Sequence, residues 1–114
     1  MTLKTNLEAT RCPALAGFAV VEVEGRGAAA FLQAQSMNDV AALAPGRWQW
    51  NGLLTPKGRV MALFALACVA DGRFLMVLPD TDPVELVAHL RRFVFRSKLT
   101  ITPSAGWVAA AGPA

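Results

Sequence analysis

Apolar and polar positions along the chain fall into short, differently patterned runs. Phe18 to Glu24 (FAVVEVE) is dense in β-branched residues and closed by Gly25, which predicts a strand. Gly27 to Gln35 carries three alanines with Phe31 and Leu32, good helix formers with one apolar patch, which predicts a short helix. From Arg47 to Leu54 the pattern alternates, with Trp48 and Trp50 on one side and Arg47, Gln49 and Asn51 on the other, as in a half-buried strand. Thr55-Pro56-Lys57-Gly58 places proline second and glycine fourth in a turn, so a hairpin follows.

Val60 to Ala70 is apolar at every position, so period alone does not separate a doubly covered strand from a buried helix. The flanks decide. Asp71-Gly72 is a two-residue hairpin signal, and Arg73 to Leu78 is a good partner strand. Three consecutive antiparallel strands result, with the middle one covered on both faces. Asp82-Pro83-x-Glu85 then reads as a helix start: an aspartate N-cap, proline at the first helical position, glutamate at the third. The helix groups Leu86, Val87, Leu90, Phe93 and Val94 on one arc and Glu85, His89, Arg92 and Arg96 on the other. Lys98 to Thr102 is a last strand, and residues 1–16 read as irregular. The order β-α-β-β-β-α-β predicts an α+β domain, an antiparallel sheet with two helices of ferredoxin-like character.

The 114 residues suit a single domain over 1–114, with one core. A hydrophobic fraction of 54% and a net charge of +3 exclude a disordered chain. Two cysteines, Cys12 and Cys68, have no CxxC spacing, and with one histidine they make a structural zinc site improbable. The N-terminus lacks the apolar core of a secretory signal, and no apolar run reaches the ~20 residues that span a bilayer, so a cytoplasmic location and no membrane partner are expected.

Catalytic constellations are absent from the pattern. His89, the sole imidazole, falls on the polar arc of a helix, and Ser36, Ser97 and Ser104 have no evident base. Asp80 and Asp82 read as turn and cap residues. No GxGxxG or phosphate-cradling loop occurs. The run Arg91-Arg92-Phe93-Val94-Phe95-Arg96-Ser97-Lys98 suggests RNA, yet the aromatic residues of RNA-recognition sheets stand on central strands, whereas Phe93 falls on a helix. RNA binding is therefore disfavoured as the main role.

Several runs occur together in order: Val23-Glu24-Gly25, Phe31-Leu32-Gln33-Ala34-Gln35, Asn38-Asp39-Val40, Leu43 to Gly46, Leu54 to Arg59, and Leu90 through Ile101. As a set they resemble the N-terminal folate-binding domain of the YgfZ family, relatives of the glycine-cleavage T-protein, over residues 18–102. The resemblance implies half of a T-protein-type folate-binding domain. It also implies a tetrahydrofolate-binding accessory module in iron–sulfur cluster assembly or repair, including that for tRNA-modifying enzymes. Its partners would be a folate-type small molecule and iron–sulfur assembly machinery or client proteins.

Two departures qualify that expectation. T-protein aminomethyltransferases carry acidic residues after the hairpin glycine, where this chain has Ala62 and Leu63, so a non-catalytic module is expected rather than an enzyme. The K-G-C-x-x-G-Q run of the YgfZ family is absent, since neither Cys12 nor Cys68 has that context. Family members are two to three times longer, so the C-terminal remainder is missing and this chain would supply one wall of a folate site. Phe18, Gln35, Asn38, Asp39 and Arg59 are the positions implied for that wall, with Lys57 beside Arg59 at the hairpin tip. For Asn38 and Asp39 a turn role competes with pterin binding, and for the basic pair a solvated tip competes with the glutamate tail. An interaction or scaffold domain that has lost the ligand is the alternative function. The apolar tail Trp107 to Ala111 reads as a strand lacking its partner, which predicts a homo-oligomer formed through it.

Overall fold

The computed structural model describes residues 2–5, 18–79, 82–94, 98–104 and 107–110. The chain forms β1 (Thr2–Thr5), β2 (Phe18–Glu24), α1 (Ala28–Gln35), β3 (Trp48–Leu54), β4 (Val60–Ala70), β5 (Arg73–Pro79), α2 (Pro83–Arg91), β6 (Thr100–Pro103) and β7 (Trp107–Ala110). The main sheet has five strands in the order β3-β4-β5-β2-β6, every neighbouring pair antiparallel. This is the expected α+β layering.

Both helices lie on one face. Phe31 and Leu32 of α1 and Leu86, Val87 and Leu90 of α2 pack with Val21, Val23, Phe64, Leu66, Phe74, Met76 and Leu78 of the sheet in one buried cluster. Each fully buried side chain of this size contributes roughly 2 kcal/mol. On the other face a smaller cluster joins Val20, Ala65, Ala67, Leu75 and Val77. β4 is therefore an inner strand with large residues toward the helices and small ones away. Its cover is incomplete: Phe64 to Cys68 is buried, whereas Val60, Met61 and Leu63 stand 49%, 40% and 61% exposed. The expectation of a strand covered along its whole length is corrected to that extent.

Turn chemistry sets the register. Gly72, at φ +71, closes the β4–β5 hairpin in a conformation that only glycine adopts freely, and its carbonyl accepts the Gly25 amide at 2.8 Å. Asp82 caps α2, its carboxylate accepting from Val84 N at 2.9 Å and Glu85 N at 3.4 Å. The helix stops at Arg91, earlier than the apolar arc suggests, so Phe93 and Val94 lie half-buried past its end. Arg91 also donates twice to the Ile101 carbonyl, at 3.1 and 2.8 Å, tying α2 to β6.

Two expectations are overturned at the termini. Thr2–Thr5, in the stretch expected to be irregular, is a strand, and it pairs antiparallel with Trp107–Ala110 from Thr2↔Ala110 to Thr5↔Trp107. The tail strand thus finds its partner within the chain, which removes the reason given for self-association through an unpaired tail. The strand expected over Lys98 to Thr102 runs instead from Thr100 to Pro103, and β7 follows it. Cys12, Asp80, Phe95, Arg96 and Ser97 lie outside the described residues.

Candidate functional site

β3 departs from the usual burial rule, and this departure builds the site. The alternation has the predicted sides, but the buried side is the polar one. Asn51 is 3% exposed, while Trp48 and Trp50 are 56% and 58% exposed with their rings edge-to-face at 5.5 Å. The reason is the polar joint behind the strand. Asn51 Oδ1 accepts from Met37 N (3.2 Å), Asn38 N (3.0 Å) and Gly52 N (2.8 Å). Its Nδ2 donates to Ser36 Oγ (3.1 Å) and Gln49 Oε1 (3.0 Å). A buried carboxamide so placed satisfies the backbone between α1 and β3 and fixes which face of β3 turns inward.

Gln33 does the same one turn earlier. Its Oε1 accepts from Val40 N at 2.8 Å and Ala41 N at 3.1 Å, and its Nε2 donates to the Asn38 carbonyl at 3.4 Å. Neither Gln33 nor Asn51 was singled out from sequence. Periodicity gave no signal for either: it sets Asn51 on the polar side of its strand, and Gln33 lies off the buried arc of α1.

With the joint inward, an apolar face is left outward. Trp48, Trp50 and Gly52 of β3 register with Ala67, Ala65 and Leu63 of β4. Met37 lies over Gly52, where an added Cβ would come within 2.6 Å of its Sδ and 3.3 Å of Leu63 Cδ2. Met37 is 58% exposed. The result is a contiguous surface of Trp48, Trp50, Met37 and Leu63 on the side of the sheet away from the helices.

The residues expected to line a ligand wall are distributed unevenly around this surface. Phe18 opens β2 in register with Pro79, two strands from β4 in the sheet order. Gln35 ends α1, half-buried. Asn38 sits in the joint with its amide committed: Oδ1 accepts from Asp39 N at 2.8 Å and Nδ2 donates to the Trp50 carbonyl at 2.9 Å. Asp39 is exposed, and its backbone carbonyl accepts from Gln49 Nε2 at 3.1 Å. Arg59 and Lys57 are exposed at the β3–β4 turn. The joint therefore gathers Gln35, Asn38 and Asp39 near β3, while Phe18 and the basic pair stand on other elements.

A second concavity, of about 290 Å³, lies between α2 and the start of β4, lined by Met61, Ala62, Asp82, Glu85, Leu86, Ala88, His89 and Arg92. His89 stacks edge-to-face with Phe93 at 5.3 Å, the contact of a surface helix residue with its own chain. Cys68 is a free, buried thiol, and burial raises its pKa, so it stays protonated and unreactive near neutrality. Among the described residues no three His, Cys, Asp or Glu side chains come together to hold a metal ion, and no helix is long and apolar enough to cross a membrane.

For a flat heteroaromatic ring the fit is partial. The apolar aromatic face is present, but the Asn38 amide already has partners for both its oxygen and its nitrogen, so hydrogen bonds to ring N–H groups would fall to Gln35 and the Asp39 carboxylate.

A five-stranded antiparallel sheet with two helices on one face defines an α+β class of domain. Residues 14–114 match the model of the GCVT N-terminal domain, and the chain belongs to that family. It is 34% identical over 80 residues to an aminomethyltransferase of Deinococcus deserti, covering 70% of this chain and 22% of that one. It is 34% identical over 85 residues to an aminomethyltransferase of Methylococcus capsulatus, covering 74% and 24%. The fold also matches the crystal structure of glycine cleavage system aminomethyltransferase T from Bartonella henselae, with a TM-score of 0.72 at 22% identity over 80% of this chain and 25% of the other. The chain spans about a quarter of the length of these relatives.

Proposed function

We propose that this chain is a non-catalytic tetrahydrofolate-binding module that serves iron–sulfur cluster assembly or repair, as the YgfZ-like order of its runs suggests. The observation that carries the ligand part is the outward apolar face of Trp48, Trp50, Met37 and Leu63, in a family whose relatives are aminomethyltransferases. A reduced pterin bound there would carry the one-carbon chemistry. The chain's own residues bind and orient: the indoles contact the ring, Gln35 and Asp39 supply acceptors, and Arg59 meets the glutamate tail. Ala62 and Leu63 offer no carboxylate where the transferases carry acidic residues, which favours binding without aminomethyl transfer.

Titrating folinic acid while following tryptophan emission tests this reading. Trp48→Phe and Trp50→Phe variants assign the signal, because Trp107 also emits. Quenching that depends on Trp50 is expected. An unchanged spectrum at millimolar ligand removes the folate role.

A second reading, a scaffold domain that has lost its ligand, is favoured by the internal commitment of the Asn38 amide. The same titration separates the two.

A further inference from the structure

We propose that two copies of this chain pair face to face through the outward side of β3 and β4, with Trp48, Trp50, Met37 and Leu63 at the centre. Their relative exposures of 56, 58, 58 and 61% leave on the order of 500 Å² of apolar side chain in one patch. That is near the upper end of what a monomer normally leaves open. A stable homodimer buries roughly 800 Å² per partner, about 65% of it apolar, so its apolar part is also on the order of 500 Å². The patch is therefore the right size to form the core of such an interface.

Its composition fits a second copy as well. On this face β3 and β4 present Trp48, Trp50, Gly52, Leu63, Ala65 and Ala67, none of them charged. The nearest charge on this face is Arg73 of β5, which pairs with Ala70 at the far end of β4 and lies 3.6 Å from the Glu24 carboxylate. Glu22 of β2 pairs with Leu75 and lies beyond β5. Arg47, Lys57 and Arg59 stand at the strand ends, where an interface has its solvated rim. A two-fold contact needs only this one self-complementary patch, and no like charges are brought together at its centre. The pairing goes beyond the folate reading: it uses the same outward face without any ligand, so a second copy and a bound pterin compete for it.

Sedimentation of the full chain across the micromolar range, without folate, tests the pairing. The expected result is a monomer–dimer equilibrium that Trp50→Lys and Leu63→Lys each weaken at least tenfold. Far-UV circular dichroism should stay unchanged, since both side chains are exposed. Val84→Lys, an equally exposed apolar position on α2, should leave association intact. A chain monomeric at every concentration overturns the proposal, as does a dimer that survives the Trp50→Lys, Leu63→Lys double variant. Folinic acid titration is read separately. A monomer that still quenches sinks the dimer and keeps the folate reading, whereas a dimer blind to folinic acid does the reverse.

Discussion

At the residue scale, Asn51 carries more of the structure than any aromatic side chain on its strand. Truncation to alanine removes three acceptor and two donor interactions at once and leaves the amides of Met37, Asn38 and Gly52 without that partner. Met37 N keeps a second bond, to the Gly52 carbonyl at 3.0 Å, which limits the loss. A buried group left unsatisfied costs about 1–3 kcal/mol, so Asn51→Ala is expected to lower unfolding free energy by about 3 kcal/mol in urea melts. Gln49→Ala, which removes two bonds from a half-buried position, should lose less than about 1 kcal/mol by comparison. Equal effects would show that the joint does not depend on the asparagine. Because Asn51 also turns the tryptophans outward, its variant should shift Trp emission even in the folded state.

At the element scale, the strongest local signals in the sequence correspond to the most regular parts of the structure. Phe18–Glu24 was legible to the residue, because β-branched density and a closing glycine act locally. The Asp71-Gly72 hairpin and the Asp82 cap were legible for the same reason. What failed to show were consequences of tertiary contact. Polar Asn51 is buried because a helix end needs its amide, and hydropathy has no access to that need. Thr2–Thr5 becomes a strand through a partner more than a hundred residues away, which no local window contains. Of the candidate site, the outward face was hidden by the very rule that found its strand.

The capping signal makes a quantitative case. Asp82→Ala removes the acceptor for Val84 N and Glu85 N and should cost about 1 kcal/mol, whereas Asp82→Asn should cost only a few tenths. Thermal melts that rank the two equally would assign α2's stability to its packing alone.

At the scale of the whole molecule, the two sheets differ in how firmly they are held. The five-stranded sheet is closed over by two helices and a continuous core, whereas β1 and β7 form a separate two-stranded ladder of four registered pairs. Such a ribbon is marginal by itself; β7 lies against β2 of the main sheet, and the amide of Ser104, just before β7, donates to the Val20 carbonyl at 2.8 Å. Local stability follows the number of cooperating contacts, so the ribbon should open well below the global unfolding free energy. Hydrogen exchange should therefore show the amides of β1 and β7 exchanging orders of magnitude faster than those of Val21, Leu66 and Met76. Deleting residues 1–5 should then shift the urea midpoint by less than about 1 kcal/mol in free energy and leave the cooperative slope unchanged. If the deletion instead collapses the transition, the ribbon is part of the folding unit, and the main sheet owes its rigidity to β1 and β7 as well as to the helices.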